Sequence, residues 1–121
     1  MTAQGLNDDL IGREDGSALL QTPALVIDLD RLERNIAVMA AHALKHGIAL
    51  RPHAKTHKSV EIAKLQIAAG ALGVCCAKLG EAEALAEGGI GSILITSPVV
   101  TELGIARLME LNARMPDLMA T

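Results

Sequence analysis

IALRPHAKTHKSVEIAKLQIAAGALGVCCA, residues 48–77, sets the reading of the whole chain. Ile48 to Ala54 is a short, largely apolar run with strand character. Ser59 is a helix N-cap ahead of SVEIAKLQIAAG, and Gly70 is the stop; GVCCA then returns to a short apolar strand pattern. Strand, helix and strand in that order, over that length, make one parallel crossover unit.

The unit repeats on both sides. TPALVID, residues 22–28, reads as a strand led in by a proline. The helix after it is expected to be capped by Asp30, with Glu33 completing a capping box. Its apolar face is Leu32, Ile36, Met39, Ala40, Ala43 and Leu44, and Gly47 ends it. Further on, GEAEALAEGG (80–89) is a short helix, SILIT (92–96) a strand broken by Pro98, and TELGIARLMELNARM (101–115) a helix opened by Thr101. DLMAT, residues 117–121, starts a fifth strand. From Ala24, Ala49, Gly73, Ser92 and Leu118 the spacings are 25, 24, 19 and 26 residues. Such a cadence implies an α/β fold with a parallel sheet and covering helices.

An open doubly wound sheet and a (β/α)8 barrel share this cadence. The turn after the first strand, IDLDRLE (27–33), lacks the glycine-rich phosphate loop usual in doubly wound folds. EGGIGS (87–92) precedes a strand and opens no helix, so it reads as a helix stop. A barrel takes about 250 residues. The expectation is therefore the N-terminal half of a (β/α)8 barrel, truncated: residues 1–20 a polar arm, residues 21–121 the first four βα units.

Composition narrows the function classes. With 121 residues, half of them hydrophobic, one core is expected. Eleven Lys and Arg against 14 Asp and Glu give a net charge of −3, so no global basic field draws the chain to nucleic acid or an anionic membrane. The start, MTAQGLNDDLIGREDG, is acidic and polar, unlike a secretory signal, and points to the cytoplasm. Adjacent Cys75 and Cys76 fit neither a disulfide framework nor a CxxC site. Phe, Tyr and Trp are absent, which removes aromatic base stacking.

Against that background LRPHAKTHKS, residues 50–59, is unusual: five of its ten side chains are Arg, His or Lys. On a strand, Ile48, Leu50, Pro52 and Ala54 share one face and Arg51, His53, Lys55 and His57 the other. Burying the cationic row without an anion or ligand would be costly. Lys55 falls at the C-terminal end of the strand, where both architectures put their chemistry. Positive neighbours disfavour a protonated amine, which suits a lysine to Schiff-base formation. The same pattern also describes an edge strand with solvated charges, since Pro52 cannot donate to a ladder. Neither pair of histidines is assigned a metal: His53 and His57, four apart on a strand, merely face the same way as electrostatic neighbours of Lys55, and His42 and His46 on the first helix lack a third ligand. Cys75 and Cys76 point to opposite sides, Lys78 borders the site or is solvated, and Glu81, Glu83 and Glu87 belong to the third helix.

RPHAKTHK, preceded by TPALVIDLDRLERNI (22–36) and followed by GVCCAKLGEAEALAEGGI (73–90), closely resembles the N-terminal part of the D-threonine aldolase and D-serine dehydratase family. These are pyridoxal-phosphate enzymes of the alanine-racemase fold type. The resemblance runs from about Thr22 to about Val100, with three blocks in order. It implies a barrel followed by a smaller β domain, with Lys55 matching the lysine that carries pyridoxal 5'-phosphate and Arg51 and His53 beside it as cofactor-site residues. It also implies a homodimer and a lyase acting on β-hydroxy D-amino acids, by retro-aldol cleavage to glycine and an aldehyde. Dehydration of D-serine or 3-hydroxyaspartate, a non-catalytic pyridoxal-phosphate carrier and an inert half-barrel are the other readings. The family's phosphate loops, second acid/base and divalent-metal ligands match nothing up to Thr121, so residues 1–121 alone are expected to be inactive and to self-associate.

Overall fold

Capping side chains and glycines divide the chain much as the pattern suggests. The structure, a computed structural model, describes Gly5 and residues 7–121. Helix α1 spans Leu29–His46 and ends at Gly47, whose left-handed backbone (φ 64°) lets its N–H reach the Ala43 and Leu44 carbonyls. Its cap is Asp28, not Asp30: the Asp28 carboxylate accepts from the Arg31 N–H at 3.0 Å. Of two aspartates two residues apart, the one still in extended backbone takes the role, and Asp30 falls in the first turn, near the positive end of the helix dipole. Helix α2 is Val60–Ala68, with Ser59 Oγ accepting from the Ile62 N–H at 3.2 Å. Helix α3 is Leu79–Glu87, and α4 is Glu102–Arg114, capped by Thr101.

Three short strands, β1 (Val74–Cys76), β2 (Ile93–Ile95) and β3 (Met119–Ala120), form a parallel sheet in the order β1-β2-β3. Val74 stands opposite Ile93, and Leu94 opposite Met119. Alternation sorts the side chains. Val74, Cys76, Ile93 and Ile95 are fully buried and pack with Ala82 and Leu85 of α3, Leu111 of α4 and Ala63 of α2. Cys75 and Leu94 alternate to the opposite face and are only half-buried. Arg107 of α4 makes a two-pronged pair with Glu83 of α3, through Nε at 2.9 Å and through Nη2.

Two expected strands are corrected. Residues 24–28 join no strand, and Leu25, Val26 and Ile27 are exposed. Strand propensity needs a neighbouring edge to become a ladder, and the described residues bring none to this segment. Residues 48–53 do run beside β1, with the Leu72 N–H donating to Leu50 O at 2.9 Å and the Cys75 N–H to Pro52 O at 2.7 Å. Pairing amounts to a single parallel bridge, His53 with Cys75, because Pro52 has no N–H and the chain turns at Ala54 into a 3-10 turn, Ala54–Thr56.

Helix α1 fully buries only Ala43. Around it Leu25, Val26, Ile27, Leu29, Val38, Met39, Leu44 and Ile48 are exposed, more large apolar side chains than a solvated monomer usually leaves in water. Residues 1–121 alone are expected to associate as their concentration rises, with sedimentation velocity showing growth in mean mass. A monomer whose sedimentation does not change with concentration would mean that these exposed side chains tolerate water.

Candidate active site

The 3-10 turn after the 48–53 segment sets the position of Lys55. Ala54, 2% exposed, is buried in the core, and its carbonyl accepts from both the His57 N–H (3.2 Å) and the Lys58 N–H (2.8 Å). The Thr56 hydroxyl donates to His53 O at 3.2 Å, and the Lys55 N–H donates to His53 Nδ1 at 3.3 Å. Lys55 itself is exposed. The strand row expected from alternation therefore stops at His53: Lys55 and His57 leave it, because the backbone has already curled.

The other cations of the stretch are engaged elsewhere. Arg51 Nη1 donates to Ser92 O and, at 3.1 Å, to Ser92 Oγ. It does so across Gly73, where a Cβ would collide with Ser92 O and come within 2.6 Å of Arg51 Nη1. His53 Nε2 lies 3.3 Å from Thr96 Oγ1. Ser92 and Thr96 flank β2, four residues apart, so the polar heads of Arg51 and His53 are drawn to opposite ends of that strand, roughly 13 Å apart at the usual strand rise. Of the pair expected beside Lys55, His53 is next to it and Arg51 is directed away.

Lys58, in left-handed backbone (φ 50°), pairs its ammonium with Glu81 Oε1 at 3.4 Å. The other Glu81 oxygen accepts from the Ala77 N–H (2.8 Å) and the Lys78 N–H (3.2 Å), so one carboxylate holds the start of α3 and the loop bearing Lys55. Burial raises the Glu81 pKa, but these N–H donors and Lys58 outweigh it, and the net shift is downward. His57 is half-buried, with Nδ1 accepting from the Ser59 N–H at 3.1 Å; Nε2, like Gln66 Oε1, is buried without a hydrogen-bond partner. Burial holds the His57 pKa below its ordinary 6.5.

Cys75 faces the open side and donates from Sγ to Arg51 O at 3.3 Å, while Cys76 is buried, its thiol pushed up to about 11 chiefly by burial. Lys78 is exposed at the start of α3. His42 and His46 stack on the surface of α1 with ring centroids 4.3 Å apart. Among the described residues, no three His, Cys, Asp or Glu side chains gather as a metal set, and no helix is long and apolar enough to cross a membrane. Ser92, Thr96 and the Lys58–Glu81 pair escape a reading of the sequence alone; the one local signal was that SILIT is bracketed by Ser92 and Thr96.

The alanine racemase N-terminal domain family matches residues 27–115, which include the Lys55 turn and the first two strands of the sheet. The chain belongs to that family. Among relatives of this alanine racemase N-terminal domain are 3-hydroxy-D-aspartate aldolase of Paracoccus denitrificans, 50% identical over 103 residues, and D-threonine aldolase of an Arthrobacter species, 46% identical over 97. These matches cover 84% and 80% of the chain and 26% of each relative. The solved D-threonine aldolase of Filomicrobium marinum superposes with a TM-score of 0.77 at 46% identity, over 78% of this chain and 26% of that one. D-threo-3-hydroxyaspartate dehydratase of Delftia sp. HT23 does so with a TM-score of 0.74 at 43% identity, over 82% and 26%. The chain spans about a quarter of the length of the relatives it matches. They are lyases, and the domain is α/β with parallel strands.

Two outcomes follow from the geometry. Gly73→Ala is expected to cost about 3 kcal/mol in a urea titration, since the new methyl meets backbone at Ser92 that cannot yield as a flexible side chain would. The second concerns pH. The unfolded chain takes up a proton on His57 near 6.5, before the folded chain does, so stability is full above that value and is lost as pH falls from 6.5 through the lower folded value. Glu81 acts in a separate window, its contribution present above 4.5 and lost as pH falls through its depressed folded value. Urea midpoints measured against pH should show the first loss flattened in His57→Gln; an unchanged profile would mean that another group titrates there.

Proposed function

We propose that this domain holds pyridoxal 5'-phosphate on Lys55 and serves a lyase acting on β-hydroxy D-amino acids. The observation that carries the reading is the state of Lys55. Among the described residues no carboxylate lies within ion-pair distance of its ammonium, while Lys58, three residues on, is committed to Glu81. An exposed, uncommitted amine on a turn fixed by four hydrogen bonds suits covalent capture of an aldehyde. The residues therefore fit the group: Lys55 would hold it through the ε-amine, and His53 would stand beside it. Arg51, bound to Ser92, would stiffen the sheet under the site and leave the charge at Lys55 alone.

Bound there, the cofactor would supply an electron sink for the carbanion left when a bond to the substrate's α-carbon breaks. This chain's own part is to hold the cofactor and keep its orientation. Retro-aldol cleavage to glycine and an aldehyde is the reaction we favour, because three of the four proteins named above are aldolases. The Delftia dehydratase named above supports loss of water from the same substrate class as the second reading. The divalent metal implied by the resemblance has no group of three candidate ligands among the described residues, and the homodimer belongs to the same reading.

Residues 1–121 incubated with pyridoxal phosphate and reduced with borohydride should yield a phosphopyridoxyl adduct concentrated on the Lys55 peptide. Lys55→Ala should lose that adduct while Lys45, Lys58, Lys64 and Lys78 label weakly. Even labelling of all five lysines would remove the proposal. In a protein of the relatives' length that carries this chain, glycine plus an aldehyde marks the aldolase, and a 2-oxo acid plus ammonia the dehydratase.

A further inference from the structure

His53 sits between two groups that each dictate where its ring proton lies. On one side Nδ1 accepts from the Lys55 N–H at 3.3 Å; an accepting nitrogen carries no proton, so the proton of the neutral ring is on Nε2. On the other side Nε2 is 3.3 Å from Thr96 Oγ1, and that hydroxyl donates its one proton to Cys76 O at 3.1 Å. A hydroxyl that has spent its proton can only accept, so Nε2 donates to it. Two independent contacts select the same tautomer. Thr96 itself is anchored, since its N–H also donates to Cys76 O at 2.9 Å. The chain of donors runs from His53 Nε2 through Thr96 Oγ1 to a carbonyl at the end of β1.

We infer that Thr96 is a positioning residue: its hydroxyl holds His53 as the neutral ring protonated on Nε2, and so presents Nδ1 to the backbone of the Lys55 turn. The Lys55 N–H is the third point of that line, which ties the turn to both β1 and β2. Loss of the hydroxyl frees the ring to rotate or to change tautomer, and the Lys55 N–H then loses its acceptor. The meaning of this arrangement for chemistry rests on the reading of Lys55 as the cofactor-bearing amine; the tautomer does not.

The test is made on 15N-labelled residues 1–121, with the four histidine rings observed by long-range proton–nitrogen correlation and His53 assigned through His53→Gln. Wild type and Thr96→Ser should show His53 with the fixed Nε2–H pattern, and Thr96→Val an averaged one, while the His57 signals stay in place as a control on folding. A wild-type ring that is averaged or protonated on Nδ1 overturns the inference, and that spectrum decides even if Thr96→Val does not fold. Labelling by pyridoxal phosphate and borohydride gives the second readout. Thr96→Val should slow adduct formation at Lys55 several-fold, with Thr96→Ser near wild type; equal rates in all three overturn the positioning role. Should Lys55 take no label in any variant while the tautomer is fixed, the cofactor reading falls and the assignment of Thr96 to His53 stands.

Discussion

Two backbone carbonyls, those of Pro52 and Ala54, determine what the rest of the site can be. Pro52 O takes the Cys75 N–H at 2.7 Å and ties the 48–53 segment to β1. Two residues later Ala54 O takes two N–H groups, from His57 and Lys58, and bends the chain off the sheet. Between them Pro52 offers no N–H of its own, so the segment cannot lengthen its ladder and must leave. Lys55 is thus put just beyond a sheet edge by backbone hydrogen bonds, to which the His53 ring adds an acceptor for the Lys55 N–H. Because Ala54 is buried, the bend cannot slide along the chain without exposing the core beneath it.

The charges of the stretch are sorted by that bend. Arg51 still lies on the extended part and runs to Ser92; Lys58 lies past the bend and meets Glu81; Lys55 lies on it and meets no anion among the described residues. Such pairs contribute little stability where water reaches them, about 0–1 kcal/mol each. Their effect here is on orientation. Glu81 joins the loop after Lys55 to the first turn of α3, and Glu83 joins α3 to α4, so the turn, α3 and α4 are linked in series by side-chain contacts.

Legibility in the sequence followed the range of the interaction. Ser59, Thr101 and Gly47 could be read because a cap is settled within one helical turn. Asp28 was missed in favour of Asp30 because both satisfy the same local rule and only the backbone angle separates them. TPALVID read as a strand because its residues favour one, yet a strand depends on an edge elsewhere in the chain. Lys55 was identifiable from its block, while its departure from the strand row was not, since period-two alternation assumes that the strand continues. Thr96 and Ser92 were beyond reach: their partners His53 and Arg51 lie 43 and 41 residues away.

A lysine that must bind and release an aldehyde faces opposing demands, a fixed origin and a free end. Fixing it through its own ammonium would neutralise the nucleophile's freedom, and leaving the whole turn loose would cost much of the benefit of orientation. Here the fixed part is the backbone: the Lys55 N–H on the His53 ring, the His53 carbonyl on the Thr56 hydroxyl, the Ala54 carbonyl on the N–H groups of His57 and Lys58. The free part is the side chain. Polar contacts across a parallel sheet edge can do this because parallel strands align their C-terminal ends, so Cys76, Thr96 and the Lys55 turn come together although the sequence spreads them over forty residues. A site of this kind keeps its geometry through strand register, and a reactive residue can then be read by what holds its backbone before anything is known of what its side chain will meet.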